Sequence, residues 1–125
     1  MVNRKSKKDI KEILEAYFDY DLSQELEHIR PNYTFNPTCQ GSVPQAIIAF
    51  LESTDFEDAI RNSISLGGDA DTQACITGSL AEAHYKIIPD EIASFVRWRV
   101  EDDLLAVMDQ FHSIPFNYEI NPILN

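Results

Sequence analysis

Apolar residues recur three and four positions apart along almost the whole chain, and no stretch alternates apolar with polar long enough to make a strand. That period lines one face of a helix, so the pattern predicts an all-α fold of about five helices. The first spans residues 7–20, with Ile10, Ile13, Leu14, Tyr17 and Phe18 on one face and lysines and acids on the other. A short helix over 23–29 is stopped by Arg30-Pro31, and residues 31–41, with two prolines and two asparagines, read as a structured loop. Ser42-Val-Pro-Gln45 predicts a helix start with a capping hydroxyl at Ser42, a proline in the first turn and Gln45 at the reciprocal position. Its apolar face is Ala46, Ile47, Phe50 and Leu51.

A second capping box, Thr54-Asp-Phe-Glu57, predicts a helix that runs to about Leu66 and is ended by Gly67-Gly68, since glycine accepts the left-handed conformation that closes helices. Residues 73–85 follow as a helix of small side chains (Ala74, Ile76, Gly78, Ala81, Ala83), which invites close packing. Ile88-Pro89-Asp90 opens a last long helix to about Gln110, with Ile92, Phe95, Val96, Trp98, Val100, Leu104, Leu105 and Val107 as its apolar set. The chain is expected to form a single domain, 1–125, with flexible ends at 1–6 and 113–125.

Composition narrows the class. With 44% hydrophobic and 25% charged residues among 125, the chain has the balance of a globular protein, and no apolar run reaches the roughly 18 residues of a membrane span. A net charge of -11 repels phosphate backbones, which argues against a nucleic-acid partner. Arg4, Lys5, Lys7, Lys8 and Lys11 hold half of the Lys and Arg and read as a solvated terminal turn. Two cysteines, Cys39 and Cys75, do not make a disulfide framework, and a cytoplasmic, reduced protein is expected. Cys75 reads as a small buried residue, and His28, His84 and His112 as surface or packing histidines.

The candidate chemistry lies in Gly67-Gly-Asp-Ala-Asp-Thr72. Two carboxylates and a hydroxyl crowd one helix start, where a single aspartate would cap the helix and complement its dipole. Asp69, Asp71 and Thr72 offer hard oxygens of the kind Mg²⁺ or Mn²⁺ prefers, although a doubly capped helix accounts for the same spacing. At the preceding helix start, Gln40, Gly41, Ser42 and Val43 read either as a backbone N–H anion site or as an ordinary capping box.

The run from Phe56 through Gly67-Gly-Asp-Ala-Asp-Thr72, then Ile76-Thr-Gly-Ser-Leu-Ala-Glu-Ala-His-Tyr85 and Ile88-Pro89, resembles the carboxy-terminal part of the ADP-ribosylglycohydrolase family, as does Cys39-Gln-Gly-Ser-Val-Pro-Gln-Ala-Ile-Ile-Ala-Phe50. The resemblance covers about residues 22–112. It implies an orthogonal multi-helical fold, removal of ADP-ribose from proteins or related ADP-ribosyl compounds, a two-metal Mg²⁺ or Mn²⁺ centre with Asp69, Asp71 and Thr72 among its ligands, and a place for Gln40, Gly41, Ser42 and Val43 near bound ADP-ribose. The family's amino-terminal Thr-Asp-Asp motif and its glutamate-containing glycine-rich motif do not occur here, and Glu82 and Lys86 stand where the family often has glycine. The chain thus reads as the carboxy-terminal half of such a domain, inactive alone and completed by another chain. The alternative is a non-catalytic helical relic or a self-associating module, since removing half of a helical domain uncovers an apolar face.

Overall fold

In a computed structural model, which describes residues 5–114, seven α-helices and no strands are found: α1 (Lys7–Phe18), α2 (Leu26–Ile29), α3 (Cys39–Glu52), α4 (Phe56–Ser65), α5 (Ala70–Tyr85), α6 (Asp90–Arg99) and α7 (Asp102–Ser113). The all-α expectation holds, with more and shorter helices than the periodicity suggested. The expected flexible ends fall largely on residues 1–4 and 115–125, outside the described residues, whereas Ser6 caps α1 and Ser113 closes α7. Contacts divide the chain into two units, Met1–Pro89 and Asp90–Asn125.

The first unit is built around α3. Its sequence is apolar on nearly every side, and Ala46, Ile47, Ile48, Ala49 and Phe50 are all buried, as a central helix requires. Leu22, Leu26, Ile29 and Leu66 close around it, with Leu14, Tyr20, Tyr33, Val43, Leu51 and Leu80 packed at the margin. The helices α3, α4 and α5 pack on one another. Ala59 and Ala81 are wholly buried, and a Cβ added at Gly78 would stand 3.0 Å from Ile60 Cδ1, so small residues bring α4 and α5 close. The inward stripe of α5 is Gln73, Thr77 and Ala81; of the small residues read from sequence only Ala81 is fully buried, and Ala83 is exposed. Thr77 fits there because its hydroxyl donates to the Ala46 carbonyl at 2.9 Å.

The helix starts depart from the sequence reading by local competition. Thr38, not Ser42, caps α3: its hydroxyl accepts the Gly41 N–H at 3.1 Å, while Asn36 Oδ1 accepts both the N–H and the hydroxyl of Thr38. Pro44 therefore sits in the second turn, where it leaves only the Gln40 carbonyl without its helical donor. Asp55, not Thr54, caps α4, with Asp58 reaching back to the Thr54 N–H at 2.8 Å. The short helix begins at Leu26 and not at Ser23, and α1 ends at Phe18, followed by Asp19 in the left-handed region at φ 55°. No residue of α1 is fully buried, and Tyr17 and Phe18 are exposed.

The C-cap of α5 is Lys86, at φ 64°, a conformation that costs a side-chain-bearing residue roughly 1–2 kcal/mol and that glycine adopts freely. Glycine at this position would have a conformational reason, and Glu82 is exposed. Lys86→Gly is expected to raise stability by about 1 kcal/mol, read as a higher urea midpoint at unchanged slope. An unchanged or lower midpoint would count against the cap.

In the second unit the single long helix expected from sequence is two. Acidic Glu101, Asp102 and Asp103 favour a new helix start, and Arg97 grips Asp109 through two hydrogen bonds, at 2.8 and 3.1 Å, tying α6 to α7. Arg99 lies over the Trp98 and Phe95 rings. Of the apolar set read from sequence, Phe95, Val96, Trp98, Leu104 and Val107 are exposed, and neither helix fully buries a residue. No helix among the described residues is long and apolar enough to cross a membrane.

Candidate metal centre

Gly67 and Gly68 follow α4 with φ of 73° and 68°, so consecutive left-handed residues turn the chain into α5. The second glycine is also sterically required: a Cβ there would lie 2.8 Å from Tyr33 Cε1 and 3.4 Å from the backbone of Phe35. The turn thereby presses against the 31–38 loop, and Asp69 emerges at the N-cap position of α5.

Asp69 does not cap. No backbone N–H of α5 bonds to its carboxylate. Asp71, the second residue of the helix, stands beside Asp69, and its carboxylate accepts the Thr72 N–H at 3.0 Å. These contacts, the one with Asp69 first, hold the Asp71 carboxyl below the usual carboxylate range. Two carboxylates this close repel each other when both are charged, and a cation between them would relieve that repulsion. Asp71 and Thr72 are exposed and Asp69 is half-buried, so solvent reaches all three.

This donor set fits a hard divalent cation: two converging carboxylates and a hydroxyl on one turn, open to water that Mg²⁺ retains. Among the described residues no group of three or more His, Cys, Asp or Glu side chains comes together, so the turn offers part of a coordination shell.

Gln40, Gly41, Ser42 and Val43 lie inside α3 and not at its cap. The Gly41 N–H is taken by Thr38, and the Ser42 hydroxyl donates to the Thr38 carbonyl at 2.8 Å, leaving Ser42 6% exposed. Val43 packs at the edge of the core. Gln40 is exposed and, with Pro44 and Gln45, forms one wall of a cleft of about 560 Å³ whose other wall runs from Phe18 to Asp21 and includes Gln24.

One residue the sequence reading passed over joins these pieces. Tyr33 donates its phenol proton to the Gly41 carbonyl at 2.8 Å and accepts from Gln73 Nε2 at 2.8 Å, while its ring rests on Gly68. Burial, and then the charge of Asp69, push this phenol above its ordinary value. The loop position of Tyr33 carries no periodic signal, which is why pattern reading misses it.

The histidines serve packing or the surface. His84 stands edge-on to Phe50 at 5.4 Å, His28 is exposed beside Glu25, and His112 Nδ1 is 2.8 Å from the Met108 carbonyl. Both cysteines are free and exposed, so Cys75 is not the buried residue expected; it lies one turn beyond Asp71 on the same outward stripe.

Over 96 aligned residues the chain is 33% identical to "ADP-ribosylhydrolase ARH3" of Danio rerio, an alignment covering 62% of this chain and 25% of that protein. The chain spans about a quarter of the length of this curated relative. No solved structure matches it. Residues 3–116, which contain the Asp69–Thr72 turn, the α3 start and Tyr33, match the model of the ADP-ribosylglycohydrolase family, and the chain belongs to that family.

Proposed function

We propose that this chain acts in the metal-dependent hydrolysis of ADP-ribose linkages, on ADP-ribosylated proteins or related ADP-ribosyl compounds, and contributes part of a Mg²⁺ or Mn²⁺ centre through Asp69, Asp71 and Thr72. The observation that carries the reading is the convergence of Asp69 and Asp71 without a capping role for Asp69. The two aspartates bring negative charge to one point, and Thr72 adds a neutral oxygen on the same turn. Ions bound there would orient ribose hydroxyls and activate water at the anomeric carbon. Gln40, Gly41, Ser42 and Val43 belong to the same proposal: the exposed Gln40 faces the ADP-ribosyl group, and Gly41, Ser42 and Val43 shape the turn that presents it. Three oxygens from one turn leave positions in a Mg²⁺ or Mn²⁺ shell for further donors and water. A cytoplasmic setting is part of this reading.

Calorimetric titration of Mn²⁺ into metal-free protein tests it, beside an Asp69→Asn, Asp71→Asn variant of matched helicity. Saturable binding that disappears in the variant is expected. Equal heats from both proteins would return the turn to a purely structural role.

A second reading, a helical module that self-associates, is favoured by the exposed Phe95, Trp98, Leu104, Val107 and Phe111 of α6 and α7. It predicts a mass in solution that rises with concentration, and a strict monomer throughout would remove it.

A further inference from the structure

We infer that Tyr33 and Gln73 are positioning residues for the carboxylate turn, holding the Asp69–Thr72 segment against the first turn of α3 so that its oxygens are set for a cation. This rests on the reading of that turn as part of a metal centre.

The two contacts flank the turn. Gly68, immediately before Asp69, lies under the Tyr33 ring, and Gln73, immediately after Thr72, donates to the Tyr33 hydroxyl. The same hydroxyl is anchored on the Gly41 carbonyl. One phenol therefore touches both ends of the ligand segment and the helix start beside it.

The polar logic is closed in one direction. A phenol has one proton, and here it goes to Gly41, so its partner on the other side has to donate. Only the amide nitrogen of Gln73 can do so, which leaves Gln73 Oε1 buried with no hydrogen-bond partner among the described residues, in a side chain 0% exposed. A buried unsatisfied oxygen carries its full desolvation penalty, and an apolar side chain of similar length would avoid it. Stability alone gives no reason for an amide at position 73; the donation to Tyr33 does. Groups that orient metal ligands in this way typically change metal affinity by about 10- to 100-fold when removed.

Mn²⁺ affinity and melting temperature, measured on the wild type, Tyr33→Phe, Gln73→Met and a control, Thr77→Val, separate the possibilities. The control removes a tie between α5 and α3 that lies away from the turn. Tyr33→Phe and Gln73→Met are each expected to weaken Mn²⁺ binding about tenfold. Gln73→Met should do so without a fall in melting temperature, because the orphaned oxygen leaves with the amide. Thr77→Val should lower the melting temperature and keep the affinity within about twofold of wild type. Wild-type binding with unchanged affinity in Tyr33→Phe and Gln73→Met would overturn the positioning role and leave the metal site standing. Equal weakening in Thr77→Val would overturn it as well, by making the effect one of general stability. Absence of binding in the wild type would remove the metal site, and the inference with it.

Discussion

Lys7→Met is expected to lower the stability of the protein by about 2–3 kcal/mol, the scale of losing charged hydrogen bonds at a partly buried site, and its melting temperature by about 10–20 °C. The Lys7 ammonium reaches from the first turn of α1 to the end of α3, where it donates to the carbonyls of Phe50, Leu51 and Ser53 and to the Tyr85 hydroxyl. It also stands 4.9 Å from the Phe50 ring centre and 5.1 Å from that of Tyr85. A cation at this place meets the negative end of the α3 dipole and adds a charged donor to the carbonyls gathered there. Methionine keeps the stem and loses every donor. Since α1 buries no residue fully, Lys7 is also a principal tie between that helix and the rest of its unit. Thermal unfolding with hydrogen exchange across α1 would check this, and a melting temperature within a few degrees of wild type would refute it.

Gly68→Ala is expected to cost about 3 kcal/mol, and Gly67→Ala only about 1, although both glycines are left-handed. The conformational penalty is common to the two. What differs is space: a Cβ at Gly67 meets nothing within 4 Å, whereas at Gly68 it would meet the Tyr33 ring at 2.8 Å. That ring is held by its hydroxyl and cannot swing aside without breaking its bonds to Gly41 and Gln73. The substitution should therefore also weaken Mn²⁺ binding. Denaturant midpoints for the two variants decide the matter, and equal losses would mean that the close approach contributes nothing.

How much of this was legible beforehand varies with how local the cause is. The double glycine, the helix that follows it and the apolar α3 were readable, because each rests on residues within a few positions of one another. The caps slipped by one to four residues because Thr38, Ser42, Thr54 and Asp55 are all competent, and the choice depends on Asn36 and Asp58. The break between α6 and α7 was hidden because no glycine or proline marks it; its tie is Arg97 to Asp109, twelve residues apart. For the candidate site, the ligand turn was visible as a motif, but its support was not. Tyr33 lies in an irregular loop and acts on Gly41, Gly68 and Gln73, and a glutamine at 73 looks like a surface residue until α5 is packed.

The double-glycine turn has a kinetic side. The helices α3, α4 and α5 are consecutive, and the links between them are short, so their packing closes only small loops and loses little chain entropy. Asp69 sits on one of those links and Asp71 in the first turn after it. Two residues apart, Asp69 and Asp71 meet as that turn forms, and the turn is placed against its neighbours without waiting for distant parts of the chain to arrive.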